Sequence, residues 1–147
     1  MSKIPIAFIE IRLFAHATED SNKVTEAAKQ VFPVDYAEEV EFKRTNLKGH
    51  YGNPILLFET RIKEGKIVSA FVANLFSRIN VMDKEDLLRD IRLHVEKRSL
   101  YLRLDKQAAL CEEIKLCMRD PIRVRIQFKK GGTEEILKIC REFGMLP

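Results

Sequence analysis

Tryptophan is missing from this 147-residue chain, and cysteine occurs only three times, at Cys111, Cys117 and Cys140. The three thiols have no paired metal-ligand spacing and leave an odd number, so neither a cysteine metal site nor a disulfide framework is encoded. Cys111 and Cys140 fall at apolar helix-face positions and read as reduced, buried thiols. No apolar stretch approaches the ~20 residues that a membrane span requires. The chain runs from Lys3 straight into a strand pattern, without the apolar block and small-residue cleavage site of a secretory signal. The expected location is therefore cytoplasmic. The Gly-x-Ser-x-Gly elbow, the Walker loop and the dinucleotide fingerprint are all absent, and His16, His50 and His94 are scattered without ligand spacing. No linker, repeat or low-complexity segment interrupts the chain. These absences leave no recognisable catalytic motif, and neither metal nor cofactor is expected.

What is present is a globular composition with unevenly distributed charge. Hydrophobic residues make up 46% of the chain, and its length suits one domain over residues 1–147. The net charge is only +4, but residues 97–130 hold ten Lys or Arg against four Asp or Glu. Residues 42–66 hold six against two, so the remainder of the chain is acidic. A concentrated positive field attracts an anionic partner better than a diffuse one.

The first basic segment contains a strict alternation from Ile122 to Phe128. Ile122, Val124, Ile126 and Phe128 point one way; Arg123, Arg125, Gln127 and then Lys129 point the other. Lys129-Lys130-Gly131-Gly132 follows as a turn with unobstructed backbone amides. A merely solvated sheet face mixes charge signs, yet no acid occurs within residues 121–130. Arginine forks onto phosphate and its plane stacks on bases. The second segment runs from Lys43 to Pro54. Lys43, Arg44 and Lys48 supply charge, Gly49 and Gly52 allow close backbone approach, and His50 and Tyr51 offer rings for unpaired bases. A plain hairpin with Tyr51 packed on the sheet is the competing interpretation.

Elsewhere the patterns predict a first strand over 4–16, with Ala7, Ile9, Ile11 and Leu13 on one face. Glu10, Arg12 and His16 share the other face with Phe8 and Phe14. A helix over about 21–32 is capped by Asp20 or Ser21 and stopped by Pro33. Strands follow at 36–46 and 54–63. The stripe Ile67, Val68, Phe71, Val72, Leu75, Phe76 and Ile79 marks a helix, and Asp83 is expected to cap another. Residues 99–104 alternate, with Leu100, Leu102 and Leu104 inward and Tyr101 and Arg103 outward. Asp105 caps a short turn, residues 113–118 fit helix or strand, and Thr133 begins a last helix with Phe143 inward and Gly144 as its stop. Sequential strands pair as hairpins, so the expected fold is α+β: a mostly antiparallel sheet with helices on one face, an open sandwich.

Lys3 to Arg12, Gly49-His50-Tyr51-Gly52-Asn53-Pro54-Ile55, Leu102-Arg103-Leu104-Asp105-Lys106-Gln107-Ala108-Ala109 and Ile122 to Ile126 together resemble a family of small archaeal proteins. That family is described as a predicted RNA-binding exosome subunit. It is similar in fold to the large-subunit ribosomal protein that binds the small ribosomal RNA of that subunit. The resemblance spans about residues 4–130 and implies an antiparallel α+β domain without known catalytic activity.

The expected function is therefore non-catalytic RNA binding, as an accessory to RNA degradation or ribosome assembly. The candidate contacts are Lys43, Arg44, Lys48, His50, Tyr51, Arg103, Lys106, Gln107, Arg123, Arg125, Lys129 and Lys130. For Lys106 and Gln107 a donor role to phosphate or a base edge stands beside a buried structural role. Metal-dependent phosphodiester cleavage needs more converging carboxylates than Asp105, Glu112 and Glu113 supply. The alternative is a protein-interaction subunit that docks exosome or ribosomal proteins on its basic face, or forms a homodimer through an edge strand.

Overall fold

The structure, a computed structural model, describes residues 5–49, 51–142 and 144. The strands are β1 (Ile6–His16), β2 (Lys43–Lys48), β3 (Pro54–Ile62), β4 (Val95–Glu96), β5 (Ser99–Leu104) and β6 (Ile122–Phe128). The helices are α1 (Ser21–Gln30), α2 (Val34–Ala37), α3 (Gly65–Arg78), α4 (Val81–Arg89), α5 (Ile91–His94), α6 (Lys106–Leu110) and α7 (Thr133–Glu142). The strands form one antiparallel sheet in the order β2-β3-β1-β6-β5-β4. The α+β open sandwich expected from the alternating patterns is the fold observed.

The core lies between one sheet face and the helices. Ile9, Ile11 and Leu13 of β1, Val124 and Ile126 of β6, and Leu100, Leu102 and Leu104 of β5 are each at most 1% exposed. Val68, Phe71, Val72, Leu75 and Phe76 of α3 and Ala27 and Ala28 of α1 complete the layer. Burying a large aliphatic or aromatic side chain here contributes about 1.5–3 kcal/mol. No helix among the described residues is long and apolar enough to cross a membrane.

Several elements differ from the sequence patterns for local reasons. Residues 34–37 form α2, and β2 begins only at Lys43, because Pro33 opens a helical turn whose carbonyl accepts from Tyr36 N and Ala37 N. Ala7 is an extra residue where β1 shifts register against β6, so Ile6 joins Ile9 on the buried face in its place. Asn80, rather than Asp83, caps α4: its side chain accepts from Asp83 N at 2.8 Å. Asp83 Oδ2 instead receives Leu116 N at 3.1 Å. That bond helps hold residues 113–118 as isolated bridges from Ile114 to Ile79 and from Leu116 to Leu104. Cys111 is exposed at the end of α6, whereas Cys140 is buried, as the helix pattern requires. Asp20 and Asp105 cap α1 and α6 through bonds of 2.9 Å to Asn22 N and Gln107 N. The expected inward placement of Phe143 lies outside the described residues.

Arg78 joins the helical layer to the loop after α6. Its Nη1 donates to Gln30 O at 2.7 Å and its Nη2 to Glu112 O at 3.0 Å. Burial lowers its pKa, with the nearby Glu112 carboxylate opposing that shift.

Candidate nucleic-acid interface

The helices cover one face of the sheet, and alternation sends every second strand residue to the other. On that open face the register aligns Lys43, Glu59, Arg12, Arg123 and Arg103 in a single row across β2, β3, β1, β6 and β5. Adjacent strands lie about 4.8 Å apart, so the row spans about 19 Å. Glu59 Oε2 is 3.2 Å from Arg12 Nε. Arg123 and Arg103, directly opposite each other, have no acidic partner among the described residues; Arg103 Nη1 instead contacts Met118 Sδ at 3.8 Å. Like charges placed directly across a ladder destabilise the sheet, so folding alone does not favour this arrangement.

A neighbouring row holds Arg61, Glu10, Arg125 and Tyr101. Arg61 donates from Nε and Nη2 to Glu10 Oε2, at 3.1 and 2.6 Å. Arg125 is oriented from several sides. Its Nε donates to Ser99 Oγ at 2.9 Å and its Nη2 to Gln127 Oε1 at 3.1 Å. The Ser99 hydroxyl also donates to Gln127 Oε1, closing the network. The Arg125 guanidinium carbon lies 5.4 Å from the Phe8 ring centroid and 5.8 Å from that of Tyr101, within cation–π range.

Between β6, β5 and α5 this face sinks into a groove of about 430 Å³. Its wall includes Arg12, Arg103, Arg123 and Arg125, with Tyr101 and Leu93 as the apolar surfaces and Glu10 and Glu96 as the acids. Leu93 is 85% exposed and Tyr101 38% exposed.

The remaining expected contacts are distributed over several places. Lys43 shares the open face, but alternation turns Arg44 and Lys48 to the opposite side of the edge strand β2. The β2–β3 hairpin closes through Gly49 N to Asn53 O at 2.6 Å, with Gly52 at φ 79° and Tyr51 exposed. His50 lies outside the described residues. Lys129 and Lys130 sit past the other end of the strands, where Lys129 N donates to Pro5 O. The length of β1 separates them from the hairpin by roughly 30 Å. Gln107 is exposed on α6, which packs against α1 in the helical layer.

Lys106 is turned inward. Its Nζ, in a side chain only 8% exposed, donates to Phe14 O at 2.6 Å and Asp120 Oδ2 at 2.7 Å, with Glu19 at 3.3 Å. An ammonium group has three protons, and three acceptor groups take them. Around it stand His16, Glu19 and Asp120, whose ligating atoms lie within 4.8 Å of one another. His16 Nε2 is 3.2 Å from Asp120 Oδ1. This is the one metal-capable cluster among the described residues, and the Lys106 ammonium already supplies its positive charge.

Arg12 was legible only as an outward residue of β1; its membership of the arginine row follows from strand order, which no local pattern encodes. Alternation likewise turns Tyr101 outward, whereas the groove that gives it a setting follows from the placing of α5 beside β5. The absence of acids within residues 121–130 overstated the isolation of that strand, because β1 brings Glu10 beside Arg125.

Comparison with known proteins fits this picture. A family model described as RNA binding matches residues 8–128. RNA-binding protein PAB1135 of Pyrococcus abyssi is 36% identical over 140 residues, covering 92% of this chain and 91% of that protein. The uncharacterized protein MJ0213 of Methanocaldococcus jannaschii is 33% identical over 139 residues, covering 89% and 93%. The crystal structure of AF2318 from Archaeoglobus fulgidus superposes with a TM-score of 0.80 at 28% identity, covering 94% of this chain and 99% of that one. Mth689 of Methanothermobacter thermautotrophicus shares the fold, with a TM-score of 0.75 at 23% identity over 97% and 98% of the two chains. The family is named for RNA binding rather than for a reaction, and this chain belongs to it.

Proposed function

We propose that this protein is a non-catalytic RNA-binding module that uses its open sheet face. The observation that carries the reading is the cross-strand line of Arg12, Arg123 and Arg103, two of which lack an acidic partner among the described residues. An anionic backbone relieves the repulsion within such a line, and each phosphate neutralised releases counterions. Lys43 extends the line toward the sheet edge, while Arg125 supplies a guanidinium already oriented by Ser99 and Gln127. Lys129 and Lys130 at one end, and Arg44, Lys48, His50 and Tyr51 at the β2 edge and hairpin, are secondary contacts in this proposal. An accessory role in RNA degradation by the exosome, or in ribosome assembly, is the setting in which such a module acts.

A binding titration with single-stranded, duplex and structured RNA at two salt concentrations tests the reading. Affinity that falls as salt rises supports it; no binding at low salt rejects it.

The exposed outer edge of β2 favours a second reading, in which the chain pairs with a protein strand. Lys43, Arg44 and Lys48 on that strand discourage pairing with a second copy. Light scattering in low and high salt tests whether a homodimer forms.

A further inference from the structure

Resting on the RNA-binding reading, we propose that the groove between β5, β6 and α5 is a seat for one unpaired base of a single-stranded RNA. The base stacks on Tyr101, and its flanking phosphates reach Arg103 and Arg123. Three observations carry this. Tyr101 stands between Arg103 and Ser99 on β5 and is 38% exposed, so a large part of its ring surface is open to a ligand. Leu93, 85% exposed at the groove wall, is an apolar side chain that the core does not use. A base placed against Tyr101 removes both surfaces from water, whereas phosphate alone covers neither. The volume of about 430 Å³ lies within the range of small-ligand sites and is adequate for a nucleotide.

Electrostatics select the same occupant. Arg125 approaches Tyr101 from the Phe8 side and is held there by Ser99 and Gln127, so it flanks the stacked base as a fixed cation. Arg103 and Arg123 lie one row further along β5 and β6, in the groove wall next to the row that holds Tyr101. A base and its own backbone are joined covalently with this division between an aromatic plane and adjacent negative charge. A duplex hides its base planes in the stack and leaves Tyr101 and Leu93 uncovered.

The test is fluorescence anisotropy with the full chain, using an unstructured 12-nucleotide RNA and a blunt duplex of the same length, for wild type, Tyr101→Ala, Tyr101→Phe and Leu93→Glu. Wild type is expected to prefer the single strand by about tenfold, the size of one aromatic stack. Tyr101→Ala removes most of that preference and leaves the salt slope unchanged; Leu93→Glu removes most of it too, its added carboxylate also weakening the binding of both RNAs at low salt; Tyr101→Phe retains it. Leu93 is so exposed that its variant tests the groove even where Tyr101→Ala folds poorly. Salt-dependent binding of both RNAs with equal affinity, or a preference that survives Tyr101→Ala and Leu93→Glu, overturns the base seat and leaves the RNA-binding reading standing. Failure of either RNA to bind overturns both. Guanosine monophosphate is titrated alongside: affinity equal to that of the strand would assign the groove to a free nucleotide and also overturn the proposal.

Discussion

Arg123 faces Arg103 directly across the β5–β6 ladder, and its other cross-strand neighbour on β1 is Arg12. Three guanidinium groups thus stand side by side on three consecutive strands, with Glu59 reaching only Arg12. A sheet selected for stability alone alternates such charges.

Replacing Arg123 with Glu should therefore stabilise the fold. The variant converts two like-charge neighbours into opposite pairs, each worth about 0.2–1 kcal/mol. Urea denaturation should show a higher midpoint for Arg123→Glu at low salt, and the gain should shrink as salt screens the face. An equal or lower midpoint at low salt would mean that the arginine row carries no repulsion.

Lys106 should behave in the opposite way. Its ammonium ties Phe14 O on β1 to Glu19 and Asp120. Lys106→Met keeps the buried stem but leaves a carbonyl and two carboxylates without their cation. Both acids are partly exposed to water, so the expected loss is about 1–3 kcal/mol rather than that of a fully buried pair. Denaturation of Lys106→Met, with unchanged RNA affinity, would show that this lysine serves the fold. A selective loss of RNA binding without loss of stability would return it to the interface.

The thiols provide a pH test. Burial pushes Cys140 up from 9.0 to about 12. Below the unfolded value the thiol is protonated in both states. As pH rises from about 9 toward 12, the unfolded chain ionises first and folding loses stability. Wild type should thus lose more stability than Cys140→Ala between pH 8 and about 10.5, measured by denaturant titration. A thiol reagent at neutral pH should modify the exposed Cys111 and reach Cys140 only when the chain opens. Prompt reaction of Cys140 in the native state would contradict its burial.

The sequence revealed what depends on local periodicity. The alternation at Leu100–Leu104 and Ile122–Phe128 defined β5 and β6, and the Ile67–Ile79 stripe defined α3, because each buries one face against a common core. The strand expected over 36–46 starts late because its acidic beginning can be solvated in helix or strand: the turn after Pro33 takes residues 36–37 into α2, and 43–46 belong to β2. The cap of α4 falls three residues before Asp83 because Asn80 takes Asp83 N, a local spacing that was legible, whereas the bond from Leu116 N to Asp83 Oδ2, 33 positions away, was not. The candidate site divided in the same way. That Arg103, Arg123 and Arg125 face outward follows from alternation alone. That Arg12 joins them, that Arg44 and Lys48 face away, and that Lys106 is enclosed all depend on strand order and tertiary packing.

The central claim, that the arginine row binds an RNA backbone, is tested most directly by the salt dependence of RNA affinity in wild type and in the Arg103→Glu, Arg123→Glu double variant. Each phosphate contact on a single strand contributes about 0.7 to the slope of log affinity against log salt. The account predicts that the double variant loses affinity by more than about tenfold and flattens the slope by about 1.4, while it stays folded, the facing glutamates replacing one like-charge pair by another. Wild-type affinity and slope in a folded double variant would contradict it.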